Sequence, residues 1–203
     1  MNIVAIFADV LTFLTLLNPF ALYIYLIPVQ KELTWRDFVV TLVKASGIAG
    51  GIFMVSAFFG QAFFENVLDL NFEAFRVFGG LVLIMFSTSF IVQGRQSFIT
   101  LKGSLDDLAG EIALPFMVGA GTISLSILIG SNTRAVQTFV TISLVMICNF
   151  LVVLLMAYLR KHAHKVRFRK RLLYNNEMLL RINGFLLGAI GVDMVFRGLR
   201  VLL

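Results

Sequence analysis

The stretch that decides the fold is LTLLNPFALYIYLIP, residues 14–28. It lies inside an apolar run that begins near residue 3, and about 20 residues rising about 1.5 Å each are enough to cross the hydrocarbon core of a bilayer. Asn18-Pro19 falls near the midpoint of that run. Proline removes a backbone donor and clashes with the preceding turn, while asparagine brings an amide into apolar surroundings. Backbone groups freed in lipid have no water to bond, so the interruption must face protein or a wet cavity.

Composition points to the same solvent. Of 203 residues, 59% are hydrophobic and 14% charged, with a mean hydropathy of +0.94. A soluble domain is nearer about half apolar and about a quarter charged. The opening MNIVAIFADVLTFLTLL carries neither a cationic n-region nor a small-residue cleavage site, so it reads as the first span and not as a removable leader. Apolar runs of about 18 residues or more occur six times, near residues 3–29, 37–63, 74–93, 112–130, 135–159 and 178–201. The longest connectors, VQGRQSFITLKGSLDDLAGE and RKHAHKVRFRKRLLYNNE, are too short for a soluble domain. Residues 1–203 therefore read as a single, all-α transmembrane domain of six helices.

The net charge of +6 and pI near 9.8 do not imply nucleic acid, because seven of the seventeen Lys and Arg cluster between Arg160 and Arg171. Such a cluster beside an apolar segment marks a cytoplasmic loop in contact with anionic lipid. With the N-terminus outside, the inner loops hold Lys31, Arg36, Arg95, Lys102 and that cluster, against Arg134, Arg197 and Arg200 outside. Both termini are expected outside the cytoplasm, in a multi-pass protein of the inner membrane.

The two halves, residues 1–100 and 108–203, look alike. At an offset of 102, YIYLIP (23–28) lies over LSILIG (125–130) and Asn18-Pro19 over Ala120-Gly121. At 104 to 105, Arg76-x-x-Gly79 lies over Arg181-x-x-Gly184 and Gly94 over Gly198. Three spans per half is an odd number, so the second half enters the membrane in the opposite sense, as a 3+3 inverted-topology repeat. Pro19, Pro28 and Pro115 all fall in the first and fourth spans, and GAGT, residues 119–122, weakens the fourth further. Paired breaks near the midplane expose N–H groups at one half-helix end and carbonyls at the other, which together suit a zwitterion.

Candidate binding residues follow from those breaks: Asn18, Pro19, Gly119, Gly121, Thr122 and Ser124. Asn18 reads equally as the cap of the second half-helix. Lys44, about eight residues into the second span, reads either as the partner of a substrate carboxylate or as a lysine reaching back to the interface. Asp193 reads as the local partner of Arg197, Asn149 and Asn183 as interhelical hydrogen-bonding groups, and Cys148 as a small core residue. SGIAGG (46–51), FGG (78–80) and GFLLGAIG (184–191) read as close-packed seams. His162 and His164 sit in the basic loop without carboxylate or cysteine companions, so neither a metal site nor a catalytic pair is expected. No nucleotide fingerprint, nucleophile elbow or paired-carboxylate motif appears, and no enzymatic role or cofactor is expected.

LLNPFALYIYL, FEAFRVFGGLVLIMFSTSFI, ALPFMVGAGTIS and RINGFLLGAIGVDMVFRGL, in this order and spacing, resemble the MarC family of six-span inner-membrane proteins, also known as the neutral amino acid transporter family. The resemblance covers nearly the whole chain. It implies secondary transport of small neutral amino acids such as alanine and glycine, with a superfamily relation to LysE-type exporters. The family pattern often has a glycine where Ala21 stands, a proline near Ile24, and a proline at Ala120 between Gly119 and Gly121. The expectation is therefore a secondary transporter working by alternating access around midplane breaks, with a proton or sodium as a coupling ion to be tested. The alternatives are an exporter of other small solutes and a non-transporting membrane scaffold.

Overall fold

Two helices share the first span. In the computed structural model, which describes residues 3–67, 69, 71–92, 117–162 and 166–203, α1 (Ile3–Leu17) ends at Asn18 and α2 (Pro19–Glu32) begins immediately after it. Asn18 adopts the left-handed conformation, φ 47° and ψ 72°, which asparagine tolerates better than most side chains. Its Oδ1 accepts the Ala21 N–H at 3.1 Å, and Pro19 occupies the first helical position, where a missing N–H costs least. α2 continues through Pro28. Thr34 then starts α3 (Trp35–Asn66), its Oγ1 accepting the Asp37 N–H at 3.2 Å.

The remaining described elements are α4 (Phe72–Val92), α5 (Ala120–Asn132), α6 (Ala135–Lys161) and α7 (Val166–Leu202). Counting α1 and α2 as one, five helical segments among the described residues are long and apolar enough to cross a membrane. α5, with 13 residues, rises only about 20 Å. The expected fourth span, 112–130, thus begins in residues 112–116, which with Pro115 lie outside the described residues. So do Gly94, Arg95, Lys102 and His164. α7 starts at Val166 rather than near residue 178. Hydropathy averages miss this first part because it is charged, but Arg, Lys and Leu favour helix and no Gly or Pro interrupts residues 166–183.

The broken first span is the centre of the fold. Of its most apolar window 67% is buried, against 28% to 33% for the other four spans. One of its faces packs with α3 and α6 in a core that includes Phe13, Leu22, Phe53 and Val145; Phe13 and Phe53 meet edge to face at 5.1 Å. The other face, through Leu16, Ala21 and Ile24, packs on Leu83, Leu180 and Leu187 of α4 and α7. The outer helices turn residues such as Val55, Phe59, Met85 and Phe185 outward, as helices facing lipid tails do.

α4 and α7 are antiparallel and pack through glycine. A methyl added to Gly80 would stand 2.6 Å from the Gly191 carbonyl oxygen, and one at Gly191 2.8 Å from that of Gly80. Ser87 Oγ donates to the Gly184 carbonyl at 2.8 Å. The FGG and GFLLGAIG seams are therefore close approaches, whereas SGIAGG is not: Gly47 and Gly51 have nothing within 4 Å of an added methyl. Those two glycines face outward from α3, and periodicity alone did not reveal that. Cys148 is only partly buried, a departure from the expected core position.

At one end of the bundle, Trp35, Tyr158 and Lys161 gather, with the Lys161 ammonium 4.9 Å from the Trp35 ring centre and Trp35 edge-on to Tyr158. Gln30 Nε2 donates to the Ala157 carbonyl at 2.8 Å and ties α2 to the same place. Aromatic rings beside cations are what a membrane–water interface selects. Asp193 and Arg197 form the expected pair, 2.8 Å apart and exposed.

Buried positions recur at fixed offsets. Thr41, Ala45, Ala49, Phe53 and Ala57 of α3 correspond at 100 to buried Thr141, Val145, Asn149, Val153 and Ala157 of α6. Phe72, Gly80, Leu83, Ser87 and Phe90 of α4 correspond at 104 to buried Asn176, Gly184, Leu187, Gly191 and Met194. For the first and fourth spans the helix caps set the offset: Leu33 and Thr133 differ by 100, Asn18 and Gly119 by 101. The offset of 102 read from sequence is corrected accordingly, because Ala120 and Gly121 already lie inside α5.

Candidate functional site

The two helix starts open onto one cavity. Its walls are Leu16, Leu17, Asn18, Ala21 and Tyr25 from the first span, Val82, Leu83, Phe86 and Phe90 from α4, Met117, Gly119, Gly121 and Thr122 from the start of α5, and Leu187 from α7. Its volume is about 170 Å³; a cavity of about 150 Å³ in another protein admits benzene, a molecule of six heavy atoms.

The polar groups around it come from the breaks. Asn18 is 2% exposed, and while its Oδ1 caps α2, its Nδ2 finds no hydrogen-bond partner among the described residues. A buried donor left unbonded carries a desolvation cost, which a bound acceptor would remove. On the facing side, Gly119 caps α5 without a side chain, so no side-chain oxygen covers the first-turn amides. Such amides carry the partial positive charge of a helix N-terminus. Thr122 Oγ1 accepts the Gly119 N–H at 2.9 Å and shares its proton between the carbonyls of Gly119 and Met117, at 3.0 and 3.2 Å. Its hydroxyl thus holds the turn in shape and keeps one acceptor site in reserve.

The end of α1 releases backbone carbonyls, which carry partial charge of the opposite sign. In an uninterrupted helix Thr15 would receive the N–H of residue 19, which proline lacks, and Leu17 that of Ala21, which goes to Asn18 Oδ1. Leu16 and Leu17, at the C-terminal end of α1, both line the cavity. Among the described residues, no charged side chain lines it.

Four of the seven residues proposed from sequence, Asn18, Gly119, Gly121 and Thr122, therefore meet at this cavity. The structure places the other three elsewhere. Pro19 is buried in the first turn of α2. Ser124, 1% exposed and with an unpartnered hydroxyl, stands beside Gly79 of α4, where a methyl on the glycine would reach its Oγ at 3.0 Å. Lys44 is exposed on α3 and is not a wall residue.

Phe86, Phe90, Leu187 and Tyr25 are wall residues that sequence reasoning did not single out, since a lone apolar residue in a membrane helix carries no signal. Asn183 was expected to bond another helix, and it donates to the Thr15 carbonyl at 2.9 Å. Asn176, seven residues earlier on the same face, lies in what sequence suggested was a connector and donates to the Phe20 carbonyl at 3.1 Å.

The family model for MarC family integral membrane proteins matches residues 3–203. The chain belongs to the MarC family. It is a multi-pass integral membrane protein on both counts, by family and by its apolar helices. No curated protein and no solved structure matches it. Within this MarC chain, the match takes in both breaks and every wall of the cavity.

Proposed function

We propose that this MarC protein is a secondary transporter of small neutral amino acids, and that the cavity between the two helix breaks binds them. The observation that carries the reading is that the start of a helix with no side-chain cap, the end of α1 and the capping Asn18, whose amide has no partner among the described residues, line one cavity with no charged side chain among the described residues. A solute with net charge would be left uncompensated there, whereas a zwitterion places a carboxylate at the first-turn amides of α5 around Gly121 and at Asn18 Nδ2, and an ammonium at the Leu16 and Leu17 carbonyls. Leu83, Phe86, Phe90 and Leu187 receive its side chain, and the volume favours one of alanine size. Pro19 takes part by breaking the helix, and Ser124 and Lys44 have no contact role in this reading.

Alternating access is supported by the recurring buried registers and by the antiparallel course of α4 and α7, which an inverted repeat of halves 1–100 and 108–203 requires. The protein sits in the inner membrane with both termini outside. Alkaline phosphatase fused after Leu203 is expected to be active in intact cells, and an inactive fusion beside an active cytoplasmic reporter would reverse the orientation. Lys161, with Trp35 and Tyr158, then faces anionic lipid at the cytoplasmic surface, together with the rest of the cluster from Arg160 to Arg171.

The test is counterflow of radiolabelled alanine, glycine and serine in sealed vesicles with and without anionic lipid, under imposed proton or sodium gradients. Saturable flux is expected, with Asn18→Leu and Gly121→Leu reducing it at least tenfold. Vesicles with verified insertion and no saturable flux of any small solute would sink the transporter reading in favour of a scaffold. Full flux in both variants would move the site elsewhere.

A further inference from the structure

α7 spans the break in the first span like a splint. Asn183 donates to Thr15, three residues before Asn18, and Asn176 donates to Phe20, two residues after it. Both asparagines are nearly or fully buried, at 9% and 2% exposed, and both come from one stripe of α7 that also carries Leu180 and Leu187. The carbonyl of Thr15 is the one that Pro19 orphans, since the helical donor to residue 15 is the N–H of residue 19. The Thr15 hydroxyl does not compete for it, because Oγ1 donates to Leu11 at 2.9 Å.

We infer that Asn183 is a positioning residue of this site: its carboxamide replaces the donor that Pro19 lacks and so fixes the angle between α1 and α2. Asn18 is thereby spared. Its Oδ1 serves only α2 and its Nδ2 is left without a partner among the described residues, whereas an unsatisfied Thr15 carbonyl would compete for the nearest donor. Asn176 holds the far side of the break, so that the two helix ends and α7 move as one body. The inference concerns the cavity of the transport reading but depends on no solute.

The experiment measures the break itself in the full chain without added solute. Spin labels are attached at Phe7→Cys and Lys31→Cys, both exposed positions, in a Cys148→Ser background, and the distance distribution is recorded by pulsed electron resonance. A continuous helix would separate these positions by about 36 Å. The parent is expected to give one narrow distribution at pH 3 and pH 9. Asn183→Leu is expected to shift or broaden it by about 5 Å. Asn183→Asp is expected to match Asn183→Leu at pH 9 and the parent at pH 3, below the ordinary aspartate range of about 3.9, because a protonated carboxyl regains an O–H donor and an ionised one has none. The acid arm also shows that the substituted chain still folds. A distribution for Asn183→Leu that overlays the parent, or one for Asn183→Asp that stays broad at pH 3, would overturn the inference.

Discussion

Gly130→Ala is expected to destabilise the protein by about 3 kcal/mol, the upper end of what overpacking usually costs. Gly130 lies near the end of α5, where that helix crosses α3. A methyl there would run into the Ala57 carbonyl, with the carbonyl carbon at 2.6 Å and Cα at 2.9 Å. Backbone atoms inside a helix of 32 residues cannot step aside without moving the helix, so the two helices must separate. Gly60, on the same seam, provides the contrast, because an added methyl meets the outer atoms of the Ile127 side chain, which can change rotamer. Gly47→Ala is a control in open space, expected to gain about 0.5 to 1 kcal/mol from helix propensity. Equilibrium unfolding of the three proteins in mixed micelles ranks them. If Gly130→Ala proved as stable as Gly47→Ala, α3 and α5 would not touch as described.

The second large effect is on binding. Asn18→Asp keeps a side-chain oxygen for the Ala21 N–H and a residue type that tolerates the left-handed conformation, so the break and the fold should persist. What it removes is the buried Nδ2 donor, and it sets a carboxylate where the proposed solute carboxylate lies. A like-charge contact costs several kcal/mol. At about 1.4 kcal/mol per factor of ten, the half-saturating alanine concentration is expected to rise about a hundredfold, while the buried charge lowers the unfolding temperature and leaves the transition cooperative. Unchanged saturation in the folded variant would remove Asn18 from the site. This substitution separates the two roles read for Asn18 in the sequence: the cap, which its Oδ1 makes, and the proposed ligand, for which its Nδ2 is left without a partner among the described residues.

The arrangement has a simple physical logic. Binding a polar solute in a membrane requires polar groups, and a charged side chain at the midplane is expensive. Interrupted helices supply partial charges of both signs from the backbone. The chain uses an asparagine-proline pair for one interruption and a glycine-capped start for the other. The Thr122 hydroxyl holds the second turn, and the α7 asparagines brace the first.

Sequence by itself determined that this chain is a bundle of membrane helices, because runs of that length and apolarity have no other stable solvent. It also placed the break at Asn18-Pro19, since proline's missing N–H is a property of the residue itself. The seams at Gly80 and Gly191 were legible for a similar reason, as small residues at helical spacing. Only the tertiary structure decided which glycines matter: Gly130 touches backbone and Gly47 touches nothing, yet both are glycines in apolar helices. It alone moved Lys44 away from the cavity and brought α4 and α7 to its walls. Hydropathy records how apolar a helix is, and in a membrane both the lipid-facing and the protein-facing sides are apolar. The direction in which a helix turns its residues is therefore fixed by its neighbours, and the cavity exists only where those neighbours meet.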